Sequence, residues 1–246
     1  MLRSEREQKI LRFLEQSGYS SVKALSEMLY TSESSIRRDL TRLEEAGLIK
    51  RSYGGAELLS SNKFVLPFST RAHNNISEKR DIAVKAAKLV GEGEVVFLDS
   101  SSTGYFLAIE LMERADITVI TNSIEILGLL SKGKPTVHST GGILSSNNRI
   151  CLIGRNAEKS FEEVFADVAF FSAKALGTDG TVSDCTQEEV FVRNSMLKNS
   201  RKKVALFSSE KIGKTSSFKQ CHLHDIDLLV CDSDKAALFS KMCAVL

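Results

Sequence analysis

The chain has 246 residues, room for one large or two unequal domains, and its 42% hydrophobic and 26% charged residues are the balance of a folded globular protein. No run approaches the ~18 apolar residues that cross a bilayer, and the opening Met1-Leu2-Arg3-Ser4-Glu5-Arg6 has no apolar leader core, so neither a membrane partner nor a secretory signal is expected. A net charge of +2 does not by itself argue for nucleic acid, and residues 1–58 carry ten basic against nine acidic residues, so such an argument rests on where the charges sit.

Ile10, Leu11, Phe13 and Leu14 give a first helix its apolar face, and Gly18 ends it. Ser20-Ser21 can cap a short second helix with Val22, Leu25 and Leu29 inside, and Tyr30-Thr31 makes the turn that follows. Ser32 is placed to cap a third helix, Glu33 suits its first turn, Ile36, Leu40 and Leu43 form its buried stripe, and Gly47 closes it. Three short helices with a tight link between the second and third make a helix-turn-helix. Ser34, Ser35, Arg37 and Arg38 lie at or beside the exposed start of the third helix, where a recognition helix meets base edges and phosphates. A plain solvated charged face explains Arg37-Arg38 about as well on local sequence. Residues 48–58 place two extended runs around Gly54-Gly55, a hairpin wing on which Lys50, Arg51 and Tyr53 could follow the phosphate backbone.

The run Ser34 to Ala56, SSIRRDLTRLEEAGLIKRSYGGA, resembles the signature of the DeoR family of bacterial regulators, whose usual form is close to TIRRDLxxLExxGxLxRxHGGA. Ser35 replaces a usual Thr and Tyr53 a usual His, and both keep a hydroxyl on the expected DNA side.

Residues 59–76 lack periodicity and read as a linker between a winged helix-turn-helix over 1–58 and an α/β domain over 77–246. Phe64, Val65, Leu66 and Phe68 in this stretch are expected to dock. Beyond it, helical patterns through Ile82–Val90, Phe106–Leu111 and Ile124–Leu130 alternate with apolar runs at 95–98, 117–120, 168–171, 204–207 and 228–230. That alternation predicts a parallel sheet covered by helices on both faces. Ligands of such sheets bind beyond the strands' carboxyl ends. There the sequence places Asp99-Ser100-Ser101-Ser102-Thr103-Gly104, Thr121-Asn122-Ser123, Gly141-Gly142, Lys174 and Lys211. The 100–104 loop leads into a helix N-terminus, which suits phosphate, though a Ser-rich helix cap reads the same way. Asp99 could hold a sugar hydroxyl or cap its own loop, and Lys211 could neutralise a phosphate or lie on the surface.

The resemblance continues through LDSSSTG (Leu98–Gly104), TVITNS (Thr118–Ser123), Gly141-Gly142, Gly154 and SSEKIG (Ser208–Gly213), which are similar to motifs of the DeoR-type sensor domain. It implies a second domain resembling the ribose-5-phosphate isomerase fold. It also implies a sequence-specific regulator of double-stranded operator DNA, a repressor of carbohydrate-metabolism genes released by a phosphorylated sugar, acting as a dimer or tetramer. Ser208 stands where the family usually has Asp, and Lys174 where many members have Asp or Asn, so a carboxylate is lost and a cation gained near the expected pocket.

Three other readings compete with this one. An isomerase-like enzyme would need a base from Asp179, Asp184, Glu188 or Glu189, yet Asp179-Gly180 reads as a turn and Glu188-Glu189 as the exposed first turn of a helix. Cys221-His222-Leu223-His224 gathers metal-binding residue types, but neighbours on an extended segment point to opposite sides, and a polar loop fits better. A second domain that only oligomerises the DNA readers has no need of a phosphate loop. No catalytic residue, metal ligand or cofactor is therefore expected. The five scattered cysteines, lacking a CxxC pair, suit reduced thiols in the cytoplasm.

Overall fold

The computed structural model describes residues 3–45, 48–58 and 65–246. Gly47, expected to end the third helix, and residues 59–64 of the expected linker, Phe64 included, lie outside the described residues. The chain divides into two units, 1–70 and 71–246.

In the first unit α1 (Arg3–Ser17) leads to β1 (Tyr19–Ser21), α2 (Val22–Met28), α3 (Glu33–Glu45), β2 (Ile49–Ser52) and β3 (Gly55–Leu58). The apolar stripes foreseen in sequence meet here: Ile10, Leu14, Leu25, Ile36, Leu40 and Ile49 are almost wholly buried in one cluster. Ser21 caps α2 by accepting the Ala24 amide at 3.1 Å. The wing has one strand more than the sequence suggested, because β1 joins it in the order β1-β3-β2. Gly55 opens β3 rather than sharing the turn, and a Cβ there would come within 2.3 Å of the Ser20 carbonyl, so the added strand requires glycine.

A helix, α4 (Phe68–His73), forms inside the stretch read as an irregular connector; at six residues it is too short to show helical periodicity. The second unit continues with α5 (Ile76–Ala87), β4 (Val95–Leu98), α6 (Ser102–Leu111), β5 (Thr118–Thr121), α7 (Ile124–Leu130), β6 (Thr136–Ser139), β7 (Ile143–Leu144), β8 (Leu152–Ile153), α8 (Arg155–Glu162) and β9 (Ala166–Phe171). It ends with β10 (Ala175–Leu176), β11 (Thr181–Asp184), α9 (Gln187–Lys198), β12 (Ser200–Phe207), β13 (Phe218–His222), β14 (Leu228–Cys231) and β15 (Ala244–Val245). Cys221 and His222 therefore belong to a strand, not to a polar loop.

Seven strands form one sheet in the order β15-β14-β12-β9-β4-β5-β6, with every neighbouring pair parallel. Successive side chains point to opposite faces. Val96, Leu98, Val168, Phe170, Val204 and Leu206 pack in a core with residues of α5, α6 and α7. Phe97, Ala169, Phe171, Ala205 and Phe207 pack in a second core with residues of α8 and α9. Burial on both faces is why these strands read as continuous apolar runs. A small antiparallel sheet, β10-β11-β13, and the β7-β8 pair lie outside this frame. From β4 the chain proceeds outward through β5 and β6, then returns to β9 on the other side of β4. The strand order reverses between β4 and β9, and that is where such a sheet leaves a crevice at its carboxyl edge.

Candidate functional site

On α3 the residues proposed for DNA contact sit near the helix start. Ser34, Arg37 and Arg38 are exposed and Ser35 is half-buried. Arg37 pairs with Glu33 one turn earlier at 2.6 Å, an exposed i,i+4 pair of small energetic weight. Arg38 bends back to the Ser34 carbonyl and the Ser35 hydroxyl. Both guanidinium groups are thus held at the surface and can be redirected at little cost. Lys50 and Arg51 are exposed on β2, and Tyr53 is fully exposed at the wing turn. The wing is tied to the helix, since Arg51 Nη1 donates to Thr41 Oγ1 at 3.1 Å and the Arg51 amide to Glu44 at 2.9 Å.

The sequence reading missed what holds this face in place. Asp39 is completely buried in the side of α3 and accepts from Arg6 of α1 and from Arg42. Arg42 in turn reaches Glu7 at 2.9 Å, so the acid-base set braces α1 against α3. The signal was present: Asp39 falls at i+3 from Ile36 and one residue before Leu40, on the buried stripe, where an unpaired charge would not survive. Tyr30, read in sequence as part of the turn before α3, is 97% exposed at φ 48°.

In the second unit, Asp99 is the centre of the reversal crevice. Its Oδ1 accepts the Ser101 amide at 3.1 Å and its Oδ2 accepts the Ser172 amide at 3.0 Å and Arg193 Nε at 3.3 Å. The carboxylate therefore ties the end of β4 to the end of β9, and both oxygens are engaged. Its geometry fits the loop-holding alternative rather than a grip on a sugar hydroxyl. Several other expected contacts are likewise spent locally. Ser101 caps α6 through the Gly104 amide at 2.9 Å, Ser123 caps α7 through Ile126, and Thr121 Oγ1 accepts the Ser123 amide. Ser100 and Asn122 both donate to Cys151 Sγ, at 3.1 and 3.2 Å. Burial holds the Cys151 thiol protonated, and all five cysteines are free. Ser102, Thr103 and Gly104 are buried in the first turn of α6, and Thr103 Oγ1 is without a hydrogen-bond partner among the described residues. Gly141 and Gly142 are exposed at positive φ, and a Cβ on Gly142 would approach the Ile153 carbonyl to 2.6 Å, so this pair makes a tight turn against β8.

Cations gather on the same edge. Lys211 Nζ donates to Ser172 Oγ and to the Ala173 carbonyl, both at 2.9 Å, and lies 5.6 Å from the centre of the Phe207 ring. Burial pulls its pKa down to about 8, with Glu210 and Asp184 opposing and Lys174 and Arg71 adding to the fall. Lys174 is half-buried just before β10, close enough to bear on Lys211. Lys79 is 3% exposed, and its pKa is lowered to about 7 by burial and then by Lys211. Arg71 thus bears on both Lys79 and Lys211, Lys211 on Lys79, and Lys174 on Lys211. Mutual repulsion of this kind is relieved by an anion.

The carboxylates nearby are structural in arrangement. Arg193, buried in α9, bonds Asp184 at 3.0 Å and Gln220 at 2.8 Å besides Asp99. Burial opposes its charge, but Asp184, Asp99 and Glu189 more than offset that and raise its pKa. Glu189 is buried, not exposed as the helix-start reading had it. Its carboxyl accepts from Asn148 at 3.1 Å, and burial followed by Asp184 raises its pKa. Glu188 is exposed, and Asp179 closes its turn by accepting from Thr181. A separate hollow of about 560 Å³ opens beyond β14, but its Lys85 is already bonded to the Cys231 carbonyl and paired with Asp81.

A winged helix-turn-helix with an arginine-bearing recognition helix, followed by a doubly covered parallel sheet, is the build of a transcription regulator. Residues 6–62 match the DeoR-like helix-turn-helix domain and residues 74–233 the DeoR C terminal sensor domain. The chain belongs to the DeoR family. It is similar to the HTH-type transcriptional regulator GolR of Listeria innocua, 36% identical over 96% of this chain and 94% of that one. It is also similar to the transcriptional repressor GlcR of Bacillus subtilis, 32% identical over 94% and 89%. A third relative is the L-fucose operon activator of Haemophilus influenzae, 30% identical over 97% and 95%. Among solved structures it is similar to ribose 5-phosphate isomerase A from Methanocaldococcus jannaschii, with 20% identity, TM-score 0.43, and 56% and 55% of the two chains covered. The chain is a transcription regulator and not an enzyme. Among the described residues no helix is long and apolar enough to cross a membrane.

Proposed function

We propose that this regulator represses carbohydrate-metabolism genes and releases its operator when a phosphorylated sugar occupies the crevice between β4 and β9. The observation that carries the sensor half is the crowding of Lys79, Lys174, Lys211 and Arg71, with Lys211 bonded to Ser172, whose amide Asp99 holds to the loop that opens α6; the first-turn amides and dipole of that helix favour an anion. Lys211, Lys174 and the Ser102–Gly104 turn take the phosphate, Asn122 and the Gly141-Gly142 turn border the sugar, and Asp99 and Ser100 keep the loop in shape. Ser34, Ser35, Arg37 and Arg38 meet bases and phosphates, and Lys50, Arg51 and Tyr53 follow the backbone from the wing. A homo-oligomer presents two recognition helices to half-sites one turn apart. The sugar favours one arrangement of these helices, since a ligand indifferent to both shifts nothing.

The test is to select a bound duplex from a random pool and titrate it with protein in the presence of single phosphosugars. One phosphosugar should weaken binding by about 5- to 150-fold, a coupling of about 1–3 kcal/mol, while its free sugar does nothing. Tight duplex binding that no phosphosugar alters would leave a second unit that only oligomerises the DNA readers.

A further inference from the structure

The tip of the wing is held by the added strand of its own sheet. Tyr53 is fully exposed, so no packing fixes where its ring goes. Its backbone is fixed instead, because the Tyr19 hydroxyl donates to the Tyr53 carbonyl at 3.0 Å. The next carbonyl, that of Gly54, accepts the Val22 amide at 2.8 Å, one of the donors that a helix start leaves without an intrahelical partner. Tyr19 pairs with Glu57 of β3, and its phenol end passes over Gly55, where a Cβ would come within 2.6 Å of the hydroxyl oxygen and 2.8 Å of Cζ. Glycine at 55 therefore leaves the ring room to reach the turn. Tyr19 stays 45% exposed and is not part of the first unit's buried cluster, so its ring adds little to that core.

We propose that Tyr19 is a positioning residue for DNA binding, whose hydroxyl holds the wing turn in the form that presents Tyr53 to the phosphate backbone. The inference rests on Tyr53 of the wing meeting that backbone. A tyrosine hydroxyl is a neutral donor that suits a phosphate oxygen, and its reach depends on where the turn carries it. A turn left loose in the free protein has to be ordered on binding, and that ordering lowers the affinity. Tyr19 removes this cost without touching DNA, since its own proton is already given to a carbonyl of the same chain. The gain is bounded by the net worth of one neutral hydrogen bond, about three- to tenfold in affinity.

The experiment is a double-mutant cycle in the full chain, titrated with a duplex selected from a random pool: wild type, Tyr19→Phe, Tyr53→Ala and the two together. Tyr19→Phe keeps the ring and removes only the hydroxyl. It should weaken duplex binding about three- to tenfold, with the circular dichroism melt of the first unit unchanged. The slope of log affinity against log salt should also stay the same, because no charge is lost. In the Tyr53→Ala background the same substitution should cost nothing further, which a tyrosine that only supports the fold would not give. An equal loss in both backgrounds would mean that Tyr19 acts on DNA by another route, and it overturns the inference. So does an unchanged affinity in Tyr19→Phe while Tyr53→Ala weakens binding, or a melt lowered by Tyr19→Phe. If Tyr53→Ala itself leaves the affinity unchanged, the Tyr53 contact is wrong and this inference goes with it.

Discussion

The Asp99 carboxylate accepts the backbone amide of Ser172 at 3.0 Å, and so joins the two strand ends between which the order of the sheet reverses. The same carboxylate receives Arg193, which also bonds Asp184 and Gln220. Loop shape in the crevice therefore depends on a buried ion set and not on the loop's own sequence alone.

Replacing Asp99 with Ala removes one of the two carboxylates facing a buried guanidinium. Breaking such a pair on one side costs about 3–5 kcal/mol. Urea denaturation should show a loss of that order for Asp99→Ala, and the response to phosphosugars should vanish with it. A stability loss with the response intact would mean that the loop keeps its shape without Asp99.

Asp39→Ala should likewise destabilise the first unit, because it removes the fully buried carboxylate that Arg6 and Arg42 share and leaves Arg42 only Glu7. Circular dichroism melts should show early loss of the first unit's helices, and duplex binding should fail. Arg37→Ala should behave oppositely, with an unchanged melt and weaker duplex binding, since its pair with Glu33 is exposed. Equal effects of the two substitutions on the melt would contradict the division between brace and contact.

Lys50→Ala should weaken duplex binding similarly on all sequences. If Lys50 meets one phosphate, the slope of log affinity against log salt should shrink by about 0.9. An unchanged slope would take Lys50 off the backbone.

The lowered pKa of Lys211, about 8, gives a pH signature with a definite sign. Between that value and the ordinary lysine value, the unfolded chain holds more protons than the folded one, so stability rises with pH through the window. The burden of the buried charge is fully present below about pH 8. Wild type should therefore gain up to about 1 kcal/mol on Lys211→Met between pH 7 and 9, read from urea midpoints. Anion affinity should move the other way, falling as the lysine loses its proton. A constant stability gap across that range would mean that Lys211 is not strained by burial.

Much of this fold was legible because its strands are covered on both faces. Residues 95–98, 168–171 and 204–207 read as unbroken apolar runs, and each lies within a strand of the large sheet. The third strand of the wing was not legible, since Tyr19-Ser20-Ser21 has no alternation and is held by pairing to β3. Helix α4 is too short to carry a period. Within the crevice, strand ends could be found in sequence, but the use of each side chain could not. Asp99 and Arg193 are 94 residues apart, and only the fold brings them together. Glu189 looked like an exposed helix start because the β7-β8 region that supplies Asn148 was not foreseen. Asp39 and Arg193 share a feature that sequence does show, a charge on the apolar stripe of a helix, and that pattern deserves a search for its counter-ion.

The central claim, that the β4–β9 crevice senses a phosphorylated sugar through Lys211, is tested most directly by thermal unfolding against matched pairs of phosphosugars and free sugars, in wild type and Lys211→Ala. A ligand that binds only the folded form raises the midpoint by mass action. The account predicts that one phosphosugar raises the wild-type midpoint, that its free sugar does not, and that Lys211→Ala loses the shift while still binding the selected duplex. An equal shift in Lys211→Ala, or none in the wild type with any phosphosugar, would contradict it.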